Sequence, residues 1–419
     1  MKRAPRRVKK LRGVVATSVL LFLFPNLGCG GSGESALVTS SDPGLASIAV
    51  GILPGLLSRS GMELRNPVRV ERRSRVDLER YLEFKIGEEF PERRAELLSE
   101  AYGLLGLVPS DLDLRGTLKA LYLEQIAGFY DPDSTTLFVL DDQPDEAIES
   151  LLAHELVHAI QDQNTDLDAI TALDLSNDRR AAAQAAIEGH ATLVMFDFLM
   201  QRQGSGAPDI TEVPNFSATL VPALEAAITE SPTLAGVPLV LQESVLFPYR
   251  GGVAFVESLW KERGGRPPPF GADLPSSTKQ VLHPEGFVGG HPDRLPRLEL
   301  SVEEGWSRLY EDTLGELELG ILLETLGGSR TAAFGWAGDR YALLGDKNGR
   351  SSIAWFGLWD TEAQRDLFVR ELGSRLSALP EVASLTALEI GNVPASKLVV
   401  GNAPRVTASV HHPDWSAHD

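Results

Sequence analysis

The chain has 419 residues, is 43% hydrophobic, carries a formal charge of −19 at neutral pH and contains one cysteine. That length and apolar content supply one large core or two moderate ones, while the lone Cys29 excludes an intrachain disulfide and a cysteine-ligated metal. Removing the seven cations crowded into residues 1–12 leaves −26, a charge that disfavours nucleic acid and anionic headgroups, so no nucleic-acid partner is expected.

In chain order, Lys2, Arg3, Arg6, Arg7, Lys9, Lys10 and Arg12 precede an apolar run from Gly13 to Phe24, which reads as a secretory signal over residues 1–28. The run is too short to span a bilayer comfortably. Gly28-Cys29 followed by Gly30-Gly31-Ser32-Gly33 resembles a bacterial lipoprotein cleavage site, although Asn26 stands where an aliphatic residue is usual. That likeness implies a lipid on Cys29, membrane anchoring through it and a place in the cell envelope; the alternatives are an uncleaved anchor and a free signal-peptide cysteine. Residues 29–59 read as lipidated cysteine and linker, with a Gly- and Ser-rich tether over 30–45. From 60 to 130 charged and apolar positions alternate in helical fashion, as in Arg94 to Leu107.

Asp131-Pro132-Asp133-Ser134 predicts a turn and residues 135–140 a short strand, expected at the edge of a cleft where an extended substrate adds by strand pairing. Pro144, Asp145 and Glu146 then open a helix, with proline at its start and acids against the dipole. Ala147, Ile148, Leu151, Leu152, Leu156, Val157 and Ile160 cover most of its circumference, so it is expected to be buried.

On that helix lies His154-Glu155-Leu156-Val157-His158. Positions i and i+4 stack on one face, so both imidazoles reach one zinc ion while Glu155 points at the open coordination position. Without a metal, such a buried turn leaves polar groups unpaired at about 1 to 3 kcal/mol each. Catalytic zinc takes three protein ligands and a water. The next predicted helix, Leu175 to Gln203 with Ser176 or Asn177 as cap, carries Glu188 as the candidate third ligand. Two neutral imidazoles and one carboxylate leave zinc net positive, which brings bound water to a pKa of about 7, with Glu155 as its general base. His190, two residues past Glu188, is rotated about 200 degrees from it and is expected to be a hydrogen-bonded structural histidine.

The stretch HELVHAIQDQ from His154 to Gln163, then Asp178-Arg179-Arg180 and EGHATLVM from Glu188 to Met195, resembles the gluzincin class of metallopeptidases. More narrowly it is similar to a bacterial branch carrying HELxHAxQDQ and EGxAT. Phe247-Pro248-Tyr249-Arg250-Gly251-Gly252 and the segment from Pro275 to Pro284 continue the likeness, which covers roughly residues 120–330. It implies zinc on His154, His158 and Glu188, with Glu155 as base, and it implies no particular substrate. Thr192 stands where some gluzincins place an aspartate that orients a zinc histidine. Tyr249, read at the start of a helical run from Gly252 to Lys261, is the candidate donor to the carbonyl oxyanion, and His283 the second candidate.

Helices are predicted through Leu326, interrupted by a proline-rich loop from Arg266 to Pro275. Tyr341–Leu344 and Ser351–Trp359 flank a Gly345-Asp346-Lys347-Asn348-Gly349 turn as a hairpin. A helix over Thr361 to Leu379 and two or three strands over Leu385 to Val410 follow. The expected class is α+β, a mainly helical zincin-like catalytic domain over 60–330 with a short edge strand, plus a small α+β module over 331–419. The function expected is a zinc-dependent metallopeptidase acting on proteins or peptides in the cell envelope. The alternatives are a catalytically silent zincin-fold lipoprotein that binds or scaffolds, and a zinc hydrolase of a non-peptide amide.

Overall fold

The computed structural model describes residues 16–18, 37–202, 209–229, 231–290 and 295–411. Of the expected signal segment only Ala16–Ser18 is among them, and Cys29 lies outside. No helix among the described residues is long and apolar enough to cross a membrane. The chain is mixed α and β, with helices dominating its first three quarters and strands the last.

The N-terminal part runs β1 (Ala16–Ser18), β2 (Val38–Thr39), α1 (Pro43–Ser60), β3 (Val68–Arg73), α2 (Arg75–Glu89), α3 (Glu92–Leu104), α4 (Leu114–Gln125), β4 (Gly128–Asp131), β5 (Thr136–Leu140), α5 (Asp145–Asn164) and α6 (Leu167–Ile170). The linker expected over 29–59 gives way at Pro43 to α1. Leu45, Ala49, Ile52, Leu53 and Leu56 line its buried face, which packs on α5. The strands form one sheet in the order β1-β4-β5-β3-β2. Strand β5 is therefore interior, antiparallel to β4 through Phe129–Phe138 and parallel to β3 through Val70–Leu137. This corrects the expectation of an edge strand open to substrate. The five residues of β5 are all buried, as suits a continuous apolar run rather than an alternating one.

The central helices are α7 (Asn177–Arg202), α8 (Phe216–Thr229), α9 (Pro232–Gly236), α10 (Leu239–Arg263), α11 (Thr278–Leu282) and α12 (Pro284–Val288). Helices α7 and α10 cross at glycine on glycine: a Cβ on Gly189 would stand 2.1 Å from the carbonyl carbon of Gly252, and one on Gly252 would stand 2.0 Å from the Ala185 oxygen. Only a bare Cα on each side permits that approach.

The rest comprises β6 (Arg297–Val302), β7 (Ser307–Asp312), α13 (Gly315–Thr325), β8 (Trp336–Gly345), β9 (Ser351–Trp359), α14 (Glu362–Gly373), β10 (Ala383–Ile390), β11 (Val393–Val400) and β12 (Val406–His411). Five strands form a sheet in the order β10-β11-β9-β8-β7, and β12 pairs with β6. Alternate residues of β9 serve two cores: Trp355 and Trp359 meet Phe368 of α14, while Ala354, Phe356 and Leu358 pack with Leu298 and Leu300 of β6. Because β6 and β7 belong to this unit, it starts near Arg297 and not at the expected 331. The helices expected through Leu326 are interrupted here by strands, and Leu298 and Leu300 show the period-two burial that a helical reading passes over.

Candidate metal centre

Helix α5 is buried almost all round, and His154, Glu155 and His158 are each at most 1% exposed. The two imidazoles meet edge to face with His154 Nε2 and His158 Nε2 3.0 Å apart. Helix α7 brings the Glu188 carboxylate to the same point, its Oε2 lying 3.2 Å from His154 Nε2 and 3.5 Å from His158 Nε2. Among the described residues this is the one group of His, Cys, Asp or Glu with metal-ligand spacing. Three donors about 2.0–2.1 Å from a tetrahedral ion stand about 3.4 Å from one another, so the triangle fits zinc. His154 Nδ1 is buried with no hydrogen-bond partner.

The remaining atoms are oriented from behind. Gln184 Nε2 donates to Glu188 Oε1 at 3.2 Å from one turn earlier on α7. Gln161 Oε1 lies 2.8 Å from His158 Nδ1, while Gln161 Nε2 faces the Ile187 carbonyl at 2.9 Å and His190 Nδ1 at 3.0 Å. His190 Nε2 in turn faces the Ser60 carbonyl at 3.1 Å. Only one proton arrangement satisfies the row: His158 donates from Nδ1, Gln161 donates to His190, and His190 donates to Ser60 at the end of α1. In its neutral, ligand form His158 therefore carries its lone pair on Nε2, toward His154 and Glu188.

Burial pushes His190 down to about 4, against the opposing hydrogen bond to Ser60, so it stays neutral in its structural place. Burial also works to raise the Glu188 carboxyl, but the charge of His158 and hydrogen bonds from both histidines outweigh it and hold the group at about 2. Burial lowers His154. It works the same way on His158, where Glu188 and Glu155 overcome it and carry the imidazole to about 9. A cation is thus favoured at the centre of the triangle, supplied by a proton in the apoprotein.

Gln161 stands within the HELVHAIQDQ stretch with no role expected for it there, although its spacing of three from His158 places it on the ligand face. Thr192 does not orient a ligand, since its buried hydroxyl has no hydrogen-bond partner. Tyr249 lies in the interior of α10 and not at a helix start, with its ring 6.5 Å from that of His154. With Glu188 it borders a cavity of about 630 Å³. His283 is not brought to the cluster: its Nε2 is 2.5 Å from Glu316 Oε1, its ring abuts Phe334, and it does not border the cavity.

Residues 304–412 match a family model described as a domain of unknown function (DUF8575), a stretch that takes in β7, α13 and the strands beyond. No curated protein and no solved structure matches the chain.

Proposed function

We propose that the protein is a zinc-dependent metallopeptidase with a zincin-like catalytic region, held in the cell envelope by a lipid on Cys29. The observation that carries this reading is the convergence of His154, His158 and Glu188 on one buried point, with Glu155 on the same turn of α5. Zinc held by these three side chains would act as a Lewis acid and bring a coordinated water to a pKa of about 7.

The chain's own groups supply the rest. Glu155 takes the proton of the attacking water and returns it to the leaving amine, splitting the amide into acid and amine with no net proton change. The phenol of Tyr249 donates to the carbonyl oxygen as negative charge develops there. Gln161 and Gln184 hold His158 and Glu188 in place, and apolar burial of the cluster strengthens each charge interaction.

The test is hydrolysis of a denatured protein by the zinc-loaded chain and by Glu155→Gln. The variant should keep its zinc and lose at least about a hundredfold in rate. Equal rates with zinc bound would leave a binding protein, and a chain that takes up no zinc would end the proposal.

A further inference from the structure

The cavity beside the cluster is bordered by Glu188 and Tyr249 but by none of His154, Glu155 and His158, so it lies to one side of the metal point. Along α7 it is bordered by Arg180, Gln184 and Glu188, spaced by four and therefore stacked on one helix face. At about 1.5 Å per residue, the interval from Arg180 to Glu188 carries this wall about 12 Å away from the metal ligand. At that far end two arginines grip the loop before α7: Arg94 of α3 donates to the Leu173 carbonyl at 3.0 Å, and Arg180 to the Thr171 carbonyl at 3.2 Å. The volume of about 630 Å³ is that of a site for a small ligand or a short peptide end.

The charged groups around the cavity differ in what they leave available. Glu243 is held between Arg250 and Arg330, Glu318 accepts from Tyr102 and Asn177, and Asp168 and Arg180 each have partners of their own. Glu88 and Asp174 are exposed, where water and salt screen them. Arg94 is different. It is partly buried, donates to Leu173 and to the Tyr310 oxygen of β7, and has no carboxylate at ion-pair distance among the described residues. Tyr310 donates in turn to Asp312, so the sheet beyond α12 holds this guanidinium from behind. The Arg94 Nε is buried without a hydrogen-bond partner. A permanently charged fork with donors to spare, at the border of a cavity, is suited to receive a carboxylate.

We propose that Arg94 binds the free C-terminal carboxylate of a peptide substrate, so that the protein is a carboxypeptidase releasing short fragments. The inference rests on the peptidase reading. An extended chain rises about 3.3 Å per residue, so about three or four residues bridge the distance from Arg94 to the metal point. Water adds its hydroxyl to the acyl carbon at that point and a proton to the nitrogen. The released fragment, about two to four residues long, carries a new amine at one end and the carboxylate held by Arg94 at the other. Length is selected because a peptide end cannot reach Arg94 while a more distant bond lies at the cluster. An N-terminal ammonium in the same place would meet a like charge.

The experiment gives the full-length, zinc-loaded protein one peptide sequence as the free acid and as the C-terminal amide, and reads products by mass spectrometry and rates as kcat/KM. The acid should yield fragments of about two to four residues, and amidation should slow cleavage about ten- to a hundredfold, as expected for a lost charge-assisted hydrogen bond. Arg94→Gln, which can still donate to Leu173, should slow the acid alone and bring the two rates together, while Arg94→Lys should keep part of the preference. Zinc content and a cooperative melt select the folded variants, and if Arg94→Gln fails to fold, the wild-type comparison of acid with amide decides. Equal rates for acid and amide, cleavage at bonds far from the C-terminus, or an unchanged ratio in folded Arg94→Gln overturns the inference and leaves the peptidase reading standing. An amidated peptide with Glu about three residues beyond the bond, cleaved as fast as the free acid, would assign Arg94 to an acidic side chain and overturn the proposal. Absence of hydrolysis of every peptide and of a denatured protein sinks both readings.

Discussion

Two imidazole nitrogens 3.0 Å apart in a dry interior repel each other unless a cation or a proton lies between them, so the centre depends on how each ring is turned. For His158 that decision belongs to the Gln161 amide, which presents its oxygen because its nitrogen is committed to Ile187 and His190. Gln161→Leu keeps the volume and removes the acceptor. Its zinc affinity should fall about 10- to 100-fold in competition with a chelator, while Gln161→Glu, which retains an acceptor oxygen, should lose less. Equal affinity in Gln161→Leu would show that the amide does not position the ligand. The spacing of His154 and His158 is legible in sequence because it is local to one turn. Gln161 is as local, but reading it requires knowing that its nitrogen is already engaged by residues of α7, a fact of tertiary structure. The position of Tyr249 is less legible still, because its approach to His154 depends on where α10 begins and how it crosses α7.

That crossing is fixed at the level of whole elements. Glu188 sits immediately before Gly189, and Tyr249 three residues before Gly252, so the glycine contact sets how far apart the two helices hold these side chains. Gly252→Ala would drive a methyl group into the Ala185 carbonyl and Gly189→Ala one into Gly252, and backbone on both sides leaves no side chain to give way. Each should cost about 1–3 kcal/mol or more, seen as a lower melting temperature, together with weaker zinc retention. Gly236→Ala, with nothing within 4 Å of the added carbon, is the matched control. Unaltered melting and zinc content in Gly252→Ala would show that the crossing tolerates a wider separation. Among elements, those with strong local patterns are the legible ones: the β8–β9 hairpin, α14 behind its Thr361 cap and buried α5. Helix α1 is hidden by the Gly- and Ser-rich composition before it, although Asp42 caps the amides of Gly44 and Leu45 and Pro43 opens the helix. Strand β5 reads as a strand from its residues, but its interior place depends on β3, more than sixty residues earlier.

At the scale of the molecule, the junction between the helical region and the C-terminal sheet is built from buried carboxylates. Asp178 at the start of α7 accepts from the Thr278 amide and hydroxyl, and Asp339 accepts from the amides of Leu314 and Gly315 and from the indoles of Trp336 and Trp355. Burial pushes Asp178 up to about 7 and Asp339 to about 6, against those hydrogen bonds, and pushes Glu318 well above the usual carboxylate range. A carboxyl raised on folding binds its proton more tightly in the native state, so it stabilises below its unfolded value of about 4 and that stability is lost as pH climbs to the folded value. His158, raised to about 9 by Glu188 and Glu155 against burial, acts in the same direction in the zinc-free protein, its contribution complete below about 6.5 and lost through 9. His190, pushed by burial to about 4, and His154, also lowered by burial, act the other way as pH falls below about 6.5, but at pH 5.5 they are outnumbered by Asp178, Asp339, Glu318 and His158. Asp209 is held at about 2, where hydrogen bonds from Arg266 and Thr211 outweigh burial, and Asp346 at about 2, led by the Arg350 amide; these two oppose the trend only below about pH 4. The chelated protein should therefore melt several degrees higher at pH 5.5 than at pH 8. Asp178→Asn keeps an acceptor for Thr278 without the charge, so it should raise the melting temperature at pH 8 and flatten the dependence. A melting temperature that instead climbs from pH 5.5 to 8, in wild type and variant alike, would mean that the junction opens to water and that α13 is not held against α7 as its hydrogen bonds indicate.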